Sequence, residues 1–526
     1  MAITNGSGDD ALLSKPSYAL PSPLAPPHPT ANHNSSSSSQ PFPSLTRQSA
    51  SYSPLTDFTL PKGEARHYQQ QYADMYFARL AQLKPSVEAL AAEAWSEFEI
   101  ASETARKVDR ALDVRQGELC WVIGTIYMEM PLKPNILDDI GKEHWIAAPP
   151  PRVKFLTPGG VGGDQTMLED ESGRLRLVGG ALESMLLVTG AIVAVLGTEN
   201  ADGDFEVLDL RVPDLPRQPV RWEREDGRAA ASKQKVEKRE EGGKVAIVSG
   251  LGISGDAGDT LTLDLLLEYL LGESAGSEDQ SSISTISRLI VAGNSLAHAS
   301  PVPPRDEVGT NGQKKAPHAK KYGYDSSAYN AAPTDRLDLF LSSLLPSLPV
   351  TLLPGADDPT SISLPQQPIH QAMFPHSRTY QSPPKSSPAE PGSFDSGTNP
   401  YAFDLHGWRF LGTGGQPVDD IYKYVAGEER LEMMEAMLRW RLVAPTAPDT
   451  LWCYPFPDGD AFVLRECPHV FFVGNQPKFE STVVEGPLGQ QCRVVAVPSF
   501  RDTGEVVILD FETLEPELVR IEIFEE

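Results

Sequence analysis

The sequence predicts a multi-domain chain of mixed α and β class. A short helical segment leads into a small closed β barrel, and a larger layered α/β domain follows. Three observations carry that reading. The chain has 526 residues, room for two or three domains. Between residues 101 and 220, short apolar runs alternate with two-residue turn signals. From residue 244 onward, apolar runs that end in glycine loops alternate with stretches of helical period.

Composition narrows the function classes. With 45 basic and 72 acidic residues the formal charge is −27, a surface that repels a phosphate backbone unless its basic residues are segregated. Autonomous DNA binding is therefore not expected, and any DNA contact should be weak or indirect. Cys120, Cys453, Cys467 and Cys492 have no paired metal spacing, which suggests a reducing compartment. No signal peptide or bilayer-length apolar run is visible, so a soluble intracellular chain is expected.

Residues 1–60 are rich in Ser and Pro, including Ser35–Gln40, and read as a disordered tail. In residues 61–100, Tyr72, Tyr76, Leu80 and Leu83 recur at helical spacing. Pro85 should end that helix, and Val87, Leu90, Ala94 and Trp95 should mark a second. Both are expected to pack on the body of the chain.

Residues 101–220 read as strands. Gly124 interrupts the long apolar run Gly117–Met130 where a barrel strand would bend. Ser172-Gly173 and Asp202-Gly203 are two-residue hairpin signals between alternating runs. Five or so strands in about a hundred residues fit an OB barrel. Its aromatics are few (Trp121, Tyr127, Trp145, Phe155, Phe205), and Glu129, Glu169, Asp170, Asp204, Glu206 and Asp209 lie on its strands. Barrels that bind single strands offer stacking platforms and a basic groove, so this one is expected to dock protein.

Residues 221–243 mix both charges and read as a linker. The layered domain then occupies 244–526, with inserts at about 300–333 (Lys314, Lys315, Lys320, Lys321) and 380–400. Thr260 and Thr334 are placed to cap helices whose inward stripes are Leu263, Leu266, Leu267, Leu270 and Leu337, Phe340, Leu341, Leu344. Thr413–Ile421 is Gly-rich but lacks the spacing and lysine of a Walker loop, and Asp419 and Asp420 would repel phosphate. It reads as a turn with those aspartates capping a helix. The helix Glu428–Arg441 follows, with Leu431, Met434, Met437 and Leu438 inward. Strands at Leu451–Tyr454, Val470–Gly474, Arg493–Pro498, Val506–Asp510 and Leu518–Phe524 should complete a two-sheet sandwich.

Four strands of this domain end in glycine loops, at Ser249-Gly250-Leu251, Gly293-Asn294, Gly355-Ala356-Asp357-Asp358 and Gly474-Asn475-Gln476-Pro477. Such loops gather along one sheet edge, a usual place for a site. Their arrangement resembles the calcineurin-like metallophosphoesterases, whose metal ligands come from just these loops. The resemblance puts that family's ligand motifs on Ser249, Leu251, Asn294, Ala356, Asp357, Asp358, Asn475 and Pro477. A two-metal centre needs bridging carboxylate and neutral imidazoles. Ser, Leu, Asn, Ala and Pro supply neither, so these positions are vestigial, and no metal, cofactor or catalytic residue is expected. Asp358 matches the family's Asp and is expected to hold loop amides. Asp256, His370, His376, His406 and His469 are the remaining ligand types, read as isolated packed or exposed groups. No Gly-x-Ser-x-Gly elbow accompanies them.

A second resemblance rests on Tyr68–Ala81, Gly124–Asp138, Pro354–Gln371, Phe410–Tyr422, Ala444–Pro457 and Glu466–Glu480. These segments resemble the B subunits of replicative DNA polymerases, most closely the delta branch. The resemblance implies an OB fold joined to an inactivated phosphoesterase domain, and a nuclear, non-catalytic scaffold in DNA replication and repair. It implies as partners the polymerase delta catalytic subunit, through its C-terminal cysteine-rich domain, and a third subunit that leads to the sliding clamp. Family analogy adds the polymerase zeta catalytic subunit. The alternatives are an active metal-dependent nuclease or phosphoesterase, and the B subunit of polymerase alpha or epsilon.

Overall fold

The computed structural model describes residues 45–523 except 62, 64–65, 67–70, 101–102, 135–152, 158–162, 224–241, 255–259, 275, 298–329, 382–391 and 458. The two hairpin turns, the barrel and the alternating strands and helices are among them. Trp145, Asp256, the four insert lysines and most of the charged linker lie outside the described residues.

The first element corrects the tail boundary. Strand β1 (Tyr52–Pro54) pairs antiparallel with residues 403–405. Leu55, Phe58 and Leu60 are buried as well. Arg47 donates to the carbonyls of Leu270, Ile283 and Ile286 at 2.7–3.0 Å. The expected tail of residues 1–60 therefore does not reach residue 60. An apolar residue every three or so among Ser and Thr is enough to fasten a strap onto a preformed surface.

Helix α1 (Tyr72–Trp95) runs unbroken, which corrects the stop expected at Pro85. Met75, Arg79, Leu83, Val87, Ala91 and Trp95, each four residues apart, form its buried stripe. Pro85 removes one backbone donor, but it and Ala81, whose carbonyl loses that donor, face solvent. The expected stripe was rotated, and Tyr72 and Ala94 are exposed.

Short strands β2 (Glu99–Ile100), β3 (Glu103–Thr104) and β4 (Arg106–Lys107) lead into the barrel. Its strands are β5 (Cys120–Glu129), β6 (Gln165–Glu169), β7 (Arg174–Val178), β8 (Ile192–Glu199) and β9 (Phe205–Arg211). They close in the order β5-β6-β7-β9-β8, with β5 pairing β8 over residues 120–125 and β6 over residues 125–129. The change of partner falls at Gly124, where an added Cβ would meet the Glu169 carbonyl at 2.8 Å. That contact is why a glycine bends this strand. Asp170 Oδ1 accepts from the amides of Ser172 and Gly173, fixing the first hairpin turn.

In the layered domain β10 (Lys244–Val248), helices α2 (Thr260–Leu271) and α3 (Ser277–Ser284), β11 (Ile286–Ala292), helix α4 (Ala332–Leu344), β12 (Val350–Leu353) and β13 (Phe394–Ser396) come first. Then follow β14 (Tyr401–Leu405), β15 (Trp408–Thr413), helices α5 (Gln416–Tyr424) and α6 (Arg430–Arg439), β16 (Val470–Gln476), β17 (Glu480–Glu485) and β18 (Gln491–Pro498). Helix α7 (Phe500–Thr503), β19 (Glu505–Asp510) and β20 (Pro516–Arg520) end the chain. Two six-stranded sheets result, β13-β12-β11-β10-β19-β20 and β1-β14-β15-β16-β18-β17. Their facing sides bury Val245, Ile247, Ile290 and Leu353 against Phe403, Phe410, Phe472 and Val495. Each such side chain contributes roughly 1.5–3 kcal/mol.

Other expectations need adjusting. The second insert shrinks, because β13 continues the first sheet and pairs with β12. Leu451–Tyr454 forms no strand, only an isolated bridge from Cys453 to Leu364. Asp419 and Asp420 do not cap α5, whose N-cap is Gly415. Asp420 is instead buried and accepts from the hydroxyls of Thr446 and Thr450. Arg221 and Trp222, expected in the linker, pack on the body, with Arg221 over the Trp408 ring at 4.3 Å.

Helix α1, the barrel and the outer face of the second sheet share one continuous core. At its centre the fully buried Arg79 meets Asp460 at 2.6 Å and donates to the carbonyls of Pro445, Ala447 and Gly190. One side chain thus joins helix, barrel and sandwich.

Candidate functional site

The parallel strands β10, β11 and β12 end side by side in the first sheet, and β15 and β16 end side by side in the second. The loops that follow them meet across the top of the sandwich. Contact there is close enough to require glycine. An added Cβ at Gly355 would lie 2.2 Å from the Asn294 amide nitrogen, and one at Gly474 would lie 2.0 Å from the Ala292 carbonyl. Gly293, at φ +87°, sits against the Cα atoms of Gly414 and Gly355.

The polar groups at these loop ends bond to one another. Ser249 is fully buried; its hydroxyl donates to the Val497 and Pro498 carbonyls and accepts from the Asn475 amide at 2.8 Å. Asn475, at φ +57°, donates from Nδ2 to the Gly414 carbonyl at 2.8 Å. Asn294, at φ +50°, accepts from the Asp357 amide at 3.2 Å. Both asparagines occupy left-handed backbone, which Asn tolerates better than most side chains.

Asp358 is the sole member of the matched set that is a buried carboxylate. It accepts from the amides of Gly355 at 2.8 Å, Leu296 at 3.0 Å and Ser295 at 3.2 Å. Burial pushes it up to about 6, against the opposing pull of those three amides. It ties the β12 loop to the β11 loop, the duty expected of it. Leu251 lies in the core behind the first sheet, while Ala356 and Pro477 are exposed. The eight positions thus gather at one edge, but they supply one buried carboxylate and no imidazole. They do not fit a two-metal centre.

A second ring of amides, unforeseen from sequence, lies beside the first. Asn399 accepts from the Gly414 amide and donates to Gln366 Oε1 and Gln416 Oε1, each at 2.9 Å. Gln366 donates to the Gly355 carbonyl at 3.1 Å. Gln366 belongs to the run Leu364–Pro368, and nothing in local periodicity marks its side chain as buried.

The described histidines are scattered. His370 and His376 are exposed, and His370 Nδ1 accepts from the Ala372 amide. His406 stacks on Phe511 at 4.9 Å. His469 accepts from the Arg409 amide at 3.0 Å, and burial pulls it down to about 4. It stands at the foot of β16, roughly 17 Å from Gly474 at about 3.3 Å per residue. Among the described residues, no group of three His, Cys, Asp or Glu could hold a metal ion. No helix among them is long and apolar enough to cross a membrane.

Comparison with known proteins matches residues 245–481 to the B-subunit family of DNA polymerase alpha/epsilon. Residues 71–210 match the family described as DNA polymerase delta subunit OB-fold domain. The DNA polymerase delta small subunit of Oryza sativa subsp. japonica is 36% identical over 474 residues, 90% of this chain and 97% of that protein. The DNA polymerase delta small subunit of Saccharomyces cerevisiae is 35% identical over 484 residues, 87% and 91% of the two chains. DNA polymerase delta subunit 2 of Drosophila melanogaster is 33% identical over 463 residues, 87% and 94% of the two.

Proposed function

The chain belongs to the DNA polymerase delta small-subunit family and is an accessory subunit of that polymerase, and from this premise we propose that it is a non-catalytic scaffold. The reading is that the layered domain is a calcineurin-like phosphoesterase sandwich that no longer turns over phosphodiesters. One observation carries it: Ser249, Asn294, Asp358 and Asn475 spend their polar atoms on neighbouring loops. These bonds hold the groups against the loops, and three of the roughly four lone-pair sites of Asp358 are taken by backbone amides.

The proposed partners are the polymerase delta catalytic subunit, through its C-terminal cysteine-rich domain, and a third subunit leading to the sliding clamp, with the polymerase zeta catalytic subunit as a further client. Work in DNA replication and repair would locate it in the nucleus. The shared core of helix, barrel and sandwich supports a scaffold role, because a platform must hold its docking faces in fixed relation. An active nuclease is not favoured, given the ligand loss. Polymerase alpha or epsilon is not favoured either, since the relatives similar over most of the chain carry the delta name.

The test is co-expression of the full chain with the catalytic subunit, intact or lacking its cysteine-rich domain. The intact partner should co-purify at one-to-one stoichiometry and the truncated one should not. Equal recovery of both would reject this mode of assembly.

A further inference from the structure

The N-terminal strap supplies an observation that the scaffold reading does not use. Strand β1 has three residues and lies at the edge of the second sheet, hydrogen-bonded to β14 alone. Its middle residue, Ser53, is exposed and is followed by Pro54. The residues around Ser53 hold the strap down. The Tyr52 side chain enters the inter-sheet core and donates to Asp395, and its ring lies 3.6 Å from the Arg288 guanidinium. Gln48 donates through its backbone N–H to the Ser284 carbonyl, and Arg47 holds three carbonyls on the other sheet's side. Residues 47–54 thus bridge the two sheets at the end of the sandwich opposite the glycine loops.

We propose that Ser53 is a phosphoacceptor for a proline-directed protein kinase, and that phosphate there releases the strap. The acceptor is exposed, its backbone is extended, and proline follows it. An edge strand this short detaches by local opening without unfolding the sheet. In the step itself, Ser53 Oγ attacks the γ-phosphorus of a nucleoside triphosphate. The Oγ–P bond forms as the bond from γ-phosphorus to the bridging oxygen breaks. Nucleoside diphosphate leaves, and the hydroxyl proton passes to the kinase's base.

The surroundings decide what the phosphate does next. Ser53 lies directly opposite Asp404 in the register. Asp404 holds Arg409 at 2.6 Å, and the same guanidinium also holds Glu466 at 2.7 Å. Asp57 acts on Arg409 as a further negative charge. The nearby Arg217 is divided between Glu466 and Glu223. Three carboxylates around Arg409 leave this corner negative before a phosphate of about −1.5 to −2 arrives. With the guanidinium already engaged, the phosphate meets mainly repulsion, and the detached strap is favoured.

The experiment uses the full chain, ATP and a proline-directed kinase, with sites mapped by mass spectrometry. Tryptic cleavage after Arg47 reads release, since that side chain must leave its carbonyls to enter the protease. Phosphate should appear on Ser53, and cleavage after Arg47 should speed up at least tenfold. Ser53→Ala should melt like wild type and show no acceleration, even when other Ser-Pro pairs are modified. The proposal fails if Ser53 stays unmodified while the urea-unfolded chain is modified there. It fails equally if phosphorylated Ser53 leaves the cleavage rate unchanged, or if Ser53→Ala accelerates as wild type does.

Discussion

Replacing Gly474 by alanine adds one methyl group at the point where the two sheets touch. The new Cβ would stand 2.0 Å from the Ala292 carbonyl and 3.0 Å from Ser249 Cβ. A carbon and an oxygen rest near 3.2–3.5 Å, so β16 and β11 must separate by roughly 1 Å. The obstacle is backbone, which cannot swing aside as the end of a side chain would. Overpacking of this kind costs about 1–3 kcal/mol, and losing the Asn475-to-Ser249 hydrogen bond adds about 1 kcal/mol. The expected loss is therefore about 3 kcal/mol, or about 6 °C in the melting temperature of a cooperative unit of about 250 residues. Gly427, with nothing within 4 Å of an added Cβ, is the control, and Gly427→Ala should melt like wild type. Thermal unfolding followed by circular dichroism makes the comparison. Equal melting temperatures for Gly474→Ala and Gly427→Ala would refute the claim that the loops interlock through glycine.

Three further outcomes are expected. Arg79→Met leaves Asp460 as a buried unpaired charge and strands three carbonyls, so equilibrium denaturation should register a loss of about 3–5 kcal/mol; a change below about 1 kcal/mol would contradict the junction. Deleting residues 1–53 removes Arg47 and the buried Tyr52, and the melt should fall by the equivalent of about 3 kcal/mol or more; an unchanged melt would restore a tail to residue 53. Asp358 is raised by burial to about 6, so the folded state holds its proton more tightly than the unfolded one. Its stabilising contribution is full below about pH 4 and is lost as pH rises through about 6. Stability measured from pH 4 to 7 should decline less steeply in Asp358→Leu than in wild type, and equal slopes would remove Asp358 from this account.

What could be read from the sequence follows the range of the signal. The hairpins were legible because turn residues at Ser172-Gly173 and Asp202-Gly203 interrupt alternating strands, although the side chains that hold the turns are those of Asp170 and Asn200. The glycine loops were legible because each follows an apolar strand directly. The meeting of the loops that carry Ser249, Asn294, Asp358 and Asn475 followed from strand order. The strap was missed because composition averages over its few apolar anchors, and Tyr52 gains its partners from residues 395 and 401. Arg79 was missed because a cation on an amphipathic helix is ordinarily solvated, and its partner lies 381 positions away. The helix through Pro85 was missed because tolerance there depends on which face meets water, a tertiary fact. Asn399 and Gln366 stayed hidden for the same reason as Arg79: long-range amide pairing leaves no periodic trace.

On the proposed reading, these loop ends hold one another by hydrogen bonds where a phosphoesterase would hold metal. Hydrolysis of a phosphodiester by the purified full chain, with manganese, magnesium or zinc added, tests it. Turnover should not exceed that of the Asp358→Ala variant or of a metal-free blank. Metal-dependent turnover that survives repurification and disappears in Asp358→Ala would contradict the claim.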